Sequence, residues 1–254
     1  MVARRPAVLL AAAVLLALCV LASLFVGSSR IPADQVAHYL LHPDASNVSY
    51  NINVLRVQRT IIGVLVGAAL AVAGAIMQAV TRNPLAEPGL LGVNAGASLG
   101  IVLGTAALGV LPVPGQLLLA AGGALTATAL VQVIGMIGGS TSSPVRLVLI
   151  GVAFSAFAGA VIRGVVLTMP NLFRTFIDWE VGSLTRADIP LLPMTLLVAL
   201  GTGAALLLAG ALDNIALGDD VAAALGTRVG LVRGLSLVVV TLLCATATTV
   251  AGPI

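Results

Sequence analysis

The chain has 254 residues, of which 59% are hydrophobic and 8% are charged, and its mean hydropathy is +1.16. Because soluble domains carry roughly 25% charged residues, this composition excludes that class and predicts an all-α, polytopic membrane protein. The net charge is +3, and every basic side chain other than histidine is an arginine. Without lysine, the chain has neither a GxxxxGK[ST] nucleotide loop nor a Schiff-base nucleophile, so any nucleotide must bind to another subunit.

Apolar runs long enough to cross a hydrocarbon core of about 30 Å recur along the chain. About seven are present, and they predict a single membrane domain over residues 1–254. The runs cover approximately residues 6–26, 60–80, 90–109, 115–137, 145–169, 190–211 and 230–251.

Arg4 and Arg5 precede the first run and favour a cytoplasmic N-terminus. That run exceeds the ~7–15 residues of a signal-peptide core, so we predict an uncleaved first span rather than a cleaved leader. Alternation then places residues 81–89, 138–144 and 212–229 on the cytoplasmic side. Both cysteines lie in apolar runs, which gives no disulfide framework.

Two pairs of residues mark the first polar segment, residues 27–59. His38 and His42 have i,i+4 spacing but no further ligand pattern nearby. A solvated short helix is therefore favoured over a metal site, and we expect neither a metal nor another cofactor. Arg56 and Arg59 precede the second span. They either extend towards the membrane interface or form a cationic patch for carboxylates on a soluble partner, and their spacing leaves both readings open.

Two prolines interrupt the helical pattern after the second run. Pro84 and Pro88 fix φ and remove backbone donors, so residues 81–89 are predicted to break the helix. Beyond this break, glycines recur every fourth residue, which predicts a helix face for close packing. These glycines are Gly92, Gly96, Gly100 and Gly104.

The segment LDNIALGDDVAAALGTRV, residues 212–229, predicts a short helix. Asp219 and Asp220 are expected to cap it, and Gly226 to end it. Its apolar stripe consists of Leu217, Val221 and Leu225. Such a stripe is typical of a helix that docks into a groove. A helix lying flat on the bilayer is the alternative, although interfacial helices are usually basic.

Arg163 lies within the fifth apolar run. An arginine at mid-membrane costs about 2.5–3.5 kcal/mol on insertion scales. Since Pro170 follows closely, we expect the side chain to extend towards the membrane interface. Gln78, near the end of the second run, is expected to hydrogen-bond a neighbouring helix.

Several of these stretches together resemble the FecCD-type permeases, the membrane subunits of bacterial ABC importers for iron–siderophore complexes, haem and cobalamin. The most specific is GAALAVAGAIMQAVTRNPLAEPGLLGVNAGASLG at residues 67–100. The others follow in the family's order: LRVQRT (55–60), RLVLIGVAFSA (146–156), DWEVGSL (178–184), LGDDVAAALG (217–226) and AGPI (251–254).

The resemblance implies a homodimer in the bacterial cytoplasmic membrane, in contact with lipid, with two cytoplasmic ATPase subunits and an extracytoplasmic substrate-binding protein. It implies no nucleic-acid partner and no covalent chemistry in this chain. Residues 213–229 would form the cytoplasmic loop that couples to the ATPase, through Leu217, Gly218, Asp219, Asp220, Val221, Leu225 and Gly226. Arg56 and Arg59 would meet acidic side chains of the binding protein. A cytoplasmic gate would contain Asn83, Leu85, Thr141, Ser142 and Ser143.

Two features depart from the family's pattern. Gln58 replaces the proline common between the paired arginines, and about seven spans precede Ile254 where the family has ten. We therefore expect either a fragment or a truncated gene product. Two alternatives remain at this point: a non-functional truncated permease and a secondary carrier driven by an ion gradient. The second predicts carboxylates inside the membrane, and none of the acidic residues falls clearly within a span.

Overall fold

The computed structural model describes residues 5–137, 144–169, 176–177, 179–184 and 189–253, and these contain helices and no β-strand. The all-α prediction is confirmed. The α-helices of these residues are α1 (Arg5–Phe25), α2 (Ala33–Leu41), α3 (Asn47–Tyr50), α4 (Val57–Thr81), α5 (Val93–Leu108), α6 (Val113–Met136), α7 (Pro144–Thr168), α8 (Leu191–Ala216), α9 (Asp219–Ala224) and α10 (Val229–Ala251). A π-helical stretch, Asn51–Arg56, joins α3 to α4, and a 3-10 helix, Pro88–Leu91, precedes α5.

Six helical stretches in the described residues are long and apolar enough to cross a membrane. One is the continuous stretch Asn47–Thr81, which includes α3 and α4, and the other five are α1, α6, α7, α8 and α10. The remaining predicted run, residues 90–109, contains α5, whose 16 residues extend about 24 Å at 1.5 Å per residue. The shortness of α5 follows from the proline-rich break, which begins after Thr81 and ends at Gly92. Gly92 has φ +76° and stands before the helix, against the ring of Phe154.

The described part of the chain divides within α4 into two compact units, one from residues 5–64 with 184 and the other from residues 65–183 with 189–253. In the first unit, Ser46 caps α3 by accepting a hydrogen bond from the Ser49 amide at 3.2 Å. The hydroxyl and the amide of Ser46 both donate to Asp44, and these bonds lower the pKa of the Asp44 carboxyl. The His38 and His42 rings stack with centroids 5.3 Å apart.

In the second unit, α5 and α6 pack so closely that their backbones are in contact. Gly96 and Gly100 of α5 face Gly123 of α6, and a Cβ on Gly100 would lie 2.9 Å from the Gly123 Cα. Gly104 lies against the side chain of Leu119 in the same interface. The absence of side chains at these positions allows the dispersion contacts that hold helices together in lipid.

Helix α10 is the most buried of the spanning helices in the described residues, with half of its most apolar window covered by protein. It packs against α8, α6 and α5. Thr248 donates a hydrogen bond to Asn94 Oδ1 at 2.8 Å, which joins the C-terminal part of α10 to the first turn of α5. The first turns of α10 lie beside α9, where the residues of the candidate site converge.

Candidate coupling and gating site

The loop that leaves α4 is a compact turn. Arg82 adopts φ +51°, a left-handed conformation that is uncommon for residues other than glycine. Asn83 Oδ1 then accepts a hydrogen bond from the Leu85 amide at 2.9 Å, which closes an Asx turn. This turn leaves the Leu85 side chain 84% exposed in the single chain. An apolar side chain on a stiff turn is therefore available to a neighbouring molecule.

The segment from Leu217 to Gly226 contains the short helix α9. Gly218, with φ +119°, occupies the N-cap position, and Gly226, with φ +82°, follows the helix. The amide of Gly226 donates to the Ala223 carbonyl and that of Thr227 to the Ala222 carbonyl, both at 2.9 Å. These bonds satisfy carbonyls that the end of the helix would leave unpaired, as a left-handed glycine after a helix commonly does.

The apolar stripe of this segment faces outwards. Leu217, Val221 and Leu225 are 67%, 46% and 59% exposed, whereas Ala222 on the opposite face is fully buried. Val221 lies within α9, whereas Leu217 precedes the helix and Leu225 follows it. Large apolar side chains exposed in this way are unfavourable in water. Together they offer apolar surface that a partner can cover.

Asp219 holds this segment to the helices behind it. Its two carboxylate oxygens accept hydrogen bonds from Arg233 Nη1 and Nη2, both at 2.9 Å, a bidentate pair between α9 and α10. Arg82 Nη2 lies 3.6 Å from Asp219 Oδ1. One carboxylate therefore links the segment from Leu217 to Gly226, the turn between α4 and α5, and α10.

This geometry corrects the prediction that Asp219 caps α9. Gly218 takes the cap position, and the Asp219 carboxylate is engaged by Arg233 instead. Asp220 is in the first turn, where a negative charge interacts favourably with the helix dipole, and its side chain is exposed. Arg233 could not be predicted as the partner of Asp219, because 14 residues separate the two and no short motif joins them.

The two arginines before the second span lie in the first unit and act on the end of α1. Arg56 is only 3% exposed and donates to the carbonyls of Leu24 and Phe25, both at 3.0 Å, and of Ser29 at 2.6 Å. Gly27 leaves room for its guanidinium, since a Cβ there would lie 2.9 Å from Arg56 Nε.

Arg59 also meets this helix end but remains partly exposed. It donates to the carbonyls of Ser23 at 2.8 Å and Val26 at 3.0 Å. The last carbonyls of a helix lack intrahelical donors and carry partial negative charge, so the two arginines cap α1. The expectation that Arg56 meets a soluble partner is therefore corrected, because burial and backbone hydrogen bonds occupy its guanidinium.

The remaining predicted gate residues, Thr141, Ser142 and Ser143, lie outside the described residues. Within those residues, no group of three or more His, Cys, Asp or Glu side chains is placed to hold a metal ion.

Comparison with known proteins agrees with the sequence motifs. Residues 15–254 match the FecCD transport family. The chain is 43% identical over 233 residues to the ferric enterobactin transport system permease protein FepD of Escherichia coli, with 91% of this chain and 70% of that protein covered. It is 37% identical over 238 residues to the Fe(3+)-citrate import system permease protein YfmD of Bacillus subtilis, with 91% and 69% covered.

A solved structure shares the fold. A metal-chelate type ABC transporter in an inward-facing conformation superposes with a TM-score of 0.78 and 24% sequence identity, covering 98% of this chain and 77% of that chain. The resemblance first seen in the motifs is thus confirmed by the family match and by the identity to two permeases: the chain belongs to the FecCD transport family.

Proposed function

We propose that this chain is the permease subunit of an ABC importer that carries an iron(III)–siderophore chelate across a bacterial cytoplasmic membrane by alternating access. Membership of the FecCD family and the names of the iron-chelate permeases similar to it support this substrate class. A second copy of the chain, cytoplasmic ATPase subunits and an outer substrate-binding protein complete the transporter. ATP hydrolysis takes place in the ATPase subunits.

The observation that carries the proposal is the exposed apolar stripe formed by Val221 in α9 and by Leu217 and Leu225 at its two ends. Asp219 holds this segment to α10. An apolar groove on an ATPase subunit could bind these apolar side chains. Through Asp219, a displacement of α9 reaches α10 and the Arg82 turn. Nucleotide binding at the ATPase pair can therefore bias the orientation of the bundle, as alternating access requires.

Asn83 and Leu85 are proposed as one half of the cytoplasmic gate. The exposed Leu85 would meet the corresponding turn of the second permease copy and close the pathway with apolar side chains. Arg82 directly precedes Asn83, and its guanidinium lies close to the Asp219 carboxylate. The turn that holds Asn83 and Leu85 is therefore joined by an ion pair to the segment proposed to dock on the ATPase. With this turn and residues 212–229 on the cytoplasmic side, the N-terminus is cytoplasmic as well.

Docking of the outer binding protein is assigned to Arg59 rather than to Arg56. Arg59 is partly exposed, so it can attract a carboxylate on the partner while it caps α1. Arg56 supports this surface from beneath through its hydrogen bonds to the end of α1.

The test reconstitutes the complete importer in proteoliposomes and measures ATP hydrolysis and chelate uptake together. Replacing the stripe residues in turn, Leu217→Arg and Val221→Arg, should abolish ATP-driven uptake while the variants still insert and dimerise. Arg30→Gln, in a polar loop outside the site, is the control. Uptake by both stripe variants at the wild-type level, or uptake driven by an ion gradient without ATP, would overturn the proposal.

A further inference from the structure

Arg163 does not point towards the nearer end of its helix. Its guanidinium lies over Gly159, one turn earlier in α7, with Nη2 3.4 Å and Cζ 3.8 Å from the position that a Cβ on Gly159 would occupy. Gly159 precedes Thr168, the last residue of α7, by nine positions, or about 13 Å at 1.5 Å per residue. The expectation that Arg163 extends to the interface is wrong, because its side chain follows the usual tilt of helical Cβ atoms towards the N-terminus.

The same side chain lines a cavity of about 760 Å³ between α5, α7 and the residues Phe176, Ile177 and Glu180. This volume lies within the range of about 300–1,000 Å³ that is usual for small-molecule sites. Val102, Ile162 and Phe176 pack together and close one wall. Polar side chains also reach the cavity: Ser98, Ser155, Arg163 and Glu180.

No hydrogen bond or ion pair joins Arg163 to another side chain in the part of the chain that the structure describes. Elsewhere in those residues, Arg233 pairs with a carboxylate through its two terminal nitrogens, and Arg56 donates to backbone carbonyls. A guanidinium cannot be neutralised by deprotonation, and it is costly to keep without a partner at membrane depth. Because Arg163 is exposed in the single chain and lines the cavity, water or an anion in the cavity can serve as its partner.

We propose that this cavity binds an anionic chelate, with the Arg163 guanidinium as the recognition group for its negatively charged oxygens. This inference rests on the proposed function and assigns a charge preference to the transported substrate. A planar guanidinium presents several donors in a fixed fork, which suits the paired oxygens of a carboxylate or a catecholate. The Ser98 hydroxyl offers a further hydrogen bond from α5, and Glu180 disfavours a second negative charge at its side of the cavity.

The binding test uses the permease chain in phosphatidylcholine vesicles, where Trp179, the only tryptophan, reports on the neighbourhood of Glu180. Two probes are titrated by quenching of its fluorescence: a ferric tris-catecholate, which is anionic, and a ferric trihydroxamate, which is electrically neutral. Arg163→Gln should weaken binding of the anionic probe by about tenfold or more and leave binding of the neutral probe unchanged. Arg163→Lys should fall between the wild type and Arg163→Gln.

A second variant moves the guanidinium without removing its charge. Gly159→Leu fills the space beside Arg163 and should also weaken binding of the anionic probe, whereas Arg30→Gln, outside the cavity, should change neither affinity. Equal effects of Arg163→Gln on both probes, or no effect, would overturn the proposal. So would loss of binding when phosphatidylglycerol is added to the vesicles, because this would assign the guanidinium to a lipid headgroup.

ATP-driven uptake by the assembled importer separates the two proposals. If the wild-type importer moves no iron chelate, the proposed function fails. If it moves chelates and Arg163→Gln moves anionic and neutral ones as the wild type does, only the cavity assignment fails.

Discussion

The Asp219 carboxylate accepts hydrogen bonds from both terminal nitrogens of Arg233 at 2.9 Å. This bidentate ion pair fixes the six-residue helix α9 to the spanning helix α10. The Arg233 side chain is 12% exposed and that of Asp219 is 40% exposed. A hydrogen-bonded charge pair of this geometry is strong, and its loss would leave a largely buried guanidinium without its anion. The pair therefore holds α9 to α10, and under the proposed function it would transmit a movement of α9 to that helix.

Asp219→Asn is expected to lower the stability of the permease by about 1–3 kcal/mol, because the charge-assisted bonds to Arg233 are lost. In the assembled importer it should lower the uptake per ATP hydrolysed more than the hydrolysis itself. The measurements are the thermal unfolding midpoint in detergent and the ratio of uptake to hydrolysis in proteoliposomes.

Asp220→Asn is the matched control for stability, since both aspartates lie in the first turn of α9 but only Asp219 faces Arg233. Both variants lose the interaction with the helix dipole, and the difference between them measures the ion pair. Equal unfolding midpoints for the two variants would show that the pair contributes nothing.

Arg56→Gln is expected to destabilise the first unit by about 2–4 kcal/mol, because the charged donors for three backbone carbonyls at the end of α1 are removed. Gly27→Leu should have a similar effect by displacing the same guanidinium. Circular dichroism during heating provides the measurement, with Arg30→Gln as an exposed arginine control.

Affinity for the outer binding protein distinguishes the two capping arginines. Arg59→Gln should weaken this affinity with a smaller loss of stability, because Arg59 is partly exposed and shares the capping with Arg56. If Arg56→Gln kept the wild-type unfolding midpoint and still lost the binding protein, the assignment of Arg56 to a supporting role would be incorrect.

The spans could be predicted from the sequence because membrane-length apolar runs are a local property of the chain. The short α5 could also have been anticipated, since prolines and Gly92 delay its start until Val93. The helical spacing of the glycines is local as well, and Gly96 and Gly100 lie on the face of α5 that meets α6.

The partners of the charged residues could not be predicted in this way. An acid at the start of a short helix has the same local pattern whether it caps that helix or binds an arginine on another, as Asp219 does. Two arginines before a span have the same pattern whether they meet a partner or cap a preceding helix. In both cases the tertiary positions of helix ends decide, and sequence spacing does not encode them.

Gly123→Ala is expected to destabilise the second unit by about 1–3 kcal/mol, because an added Cβ would lie 2.8 Å from the Gly100 Cα and the α5 and α6 backbones would have to separate. Gly122→Ala, its neighbour on the same helix, adds a Cβ that meets nothing within 4 Å. That control should be neutral or slightly stabilising, since alanine favours helix over glycine. The two unfolding midpoints are compared in the same detergent, and a smaller loss for Gly123→Ala than for Gly122→Ala would refute the packing argument.

Thr248→Val and Thr249→Val form another matched pair, on the most buried spanning helix. Thr248 is 1% exposed and donates to Asn94, so its replacement removes a hydrogen bond between α10 and α5 and should cost about 1–2 kcal/mol. The Thr249 hydroxyl is buried without a hydrogen-bond partner among the described residues, so valine there should leave stability unchanged or raise it. The same substitution one residue apart is thus expected to have opposite effects on the unfolding midpoint. A loss from Thr249→Val as large as that from Thr248→Val would mean that the Thr249 hydroxyl has a partner in the assembled protein, such as a residue of the second copy.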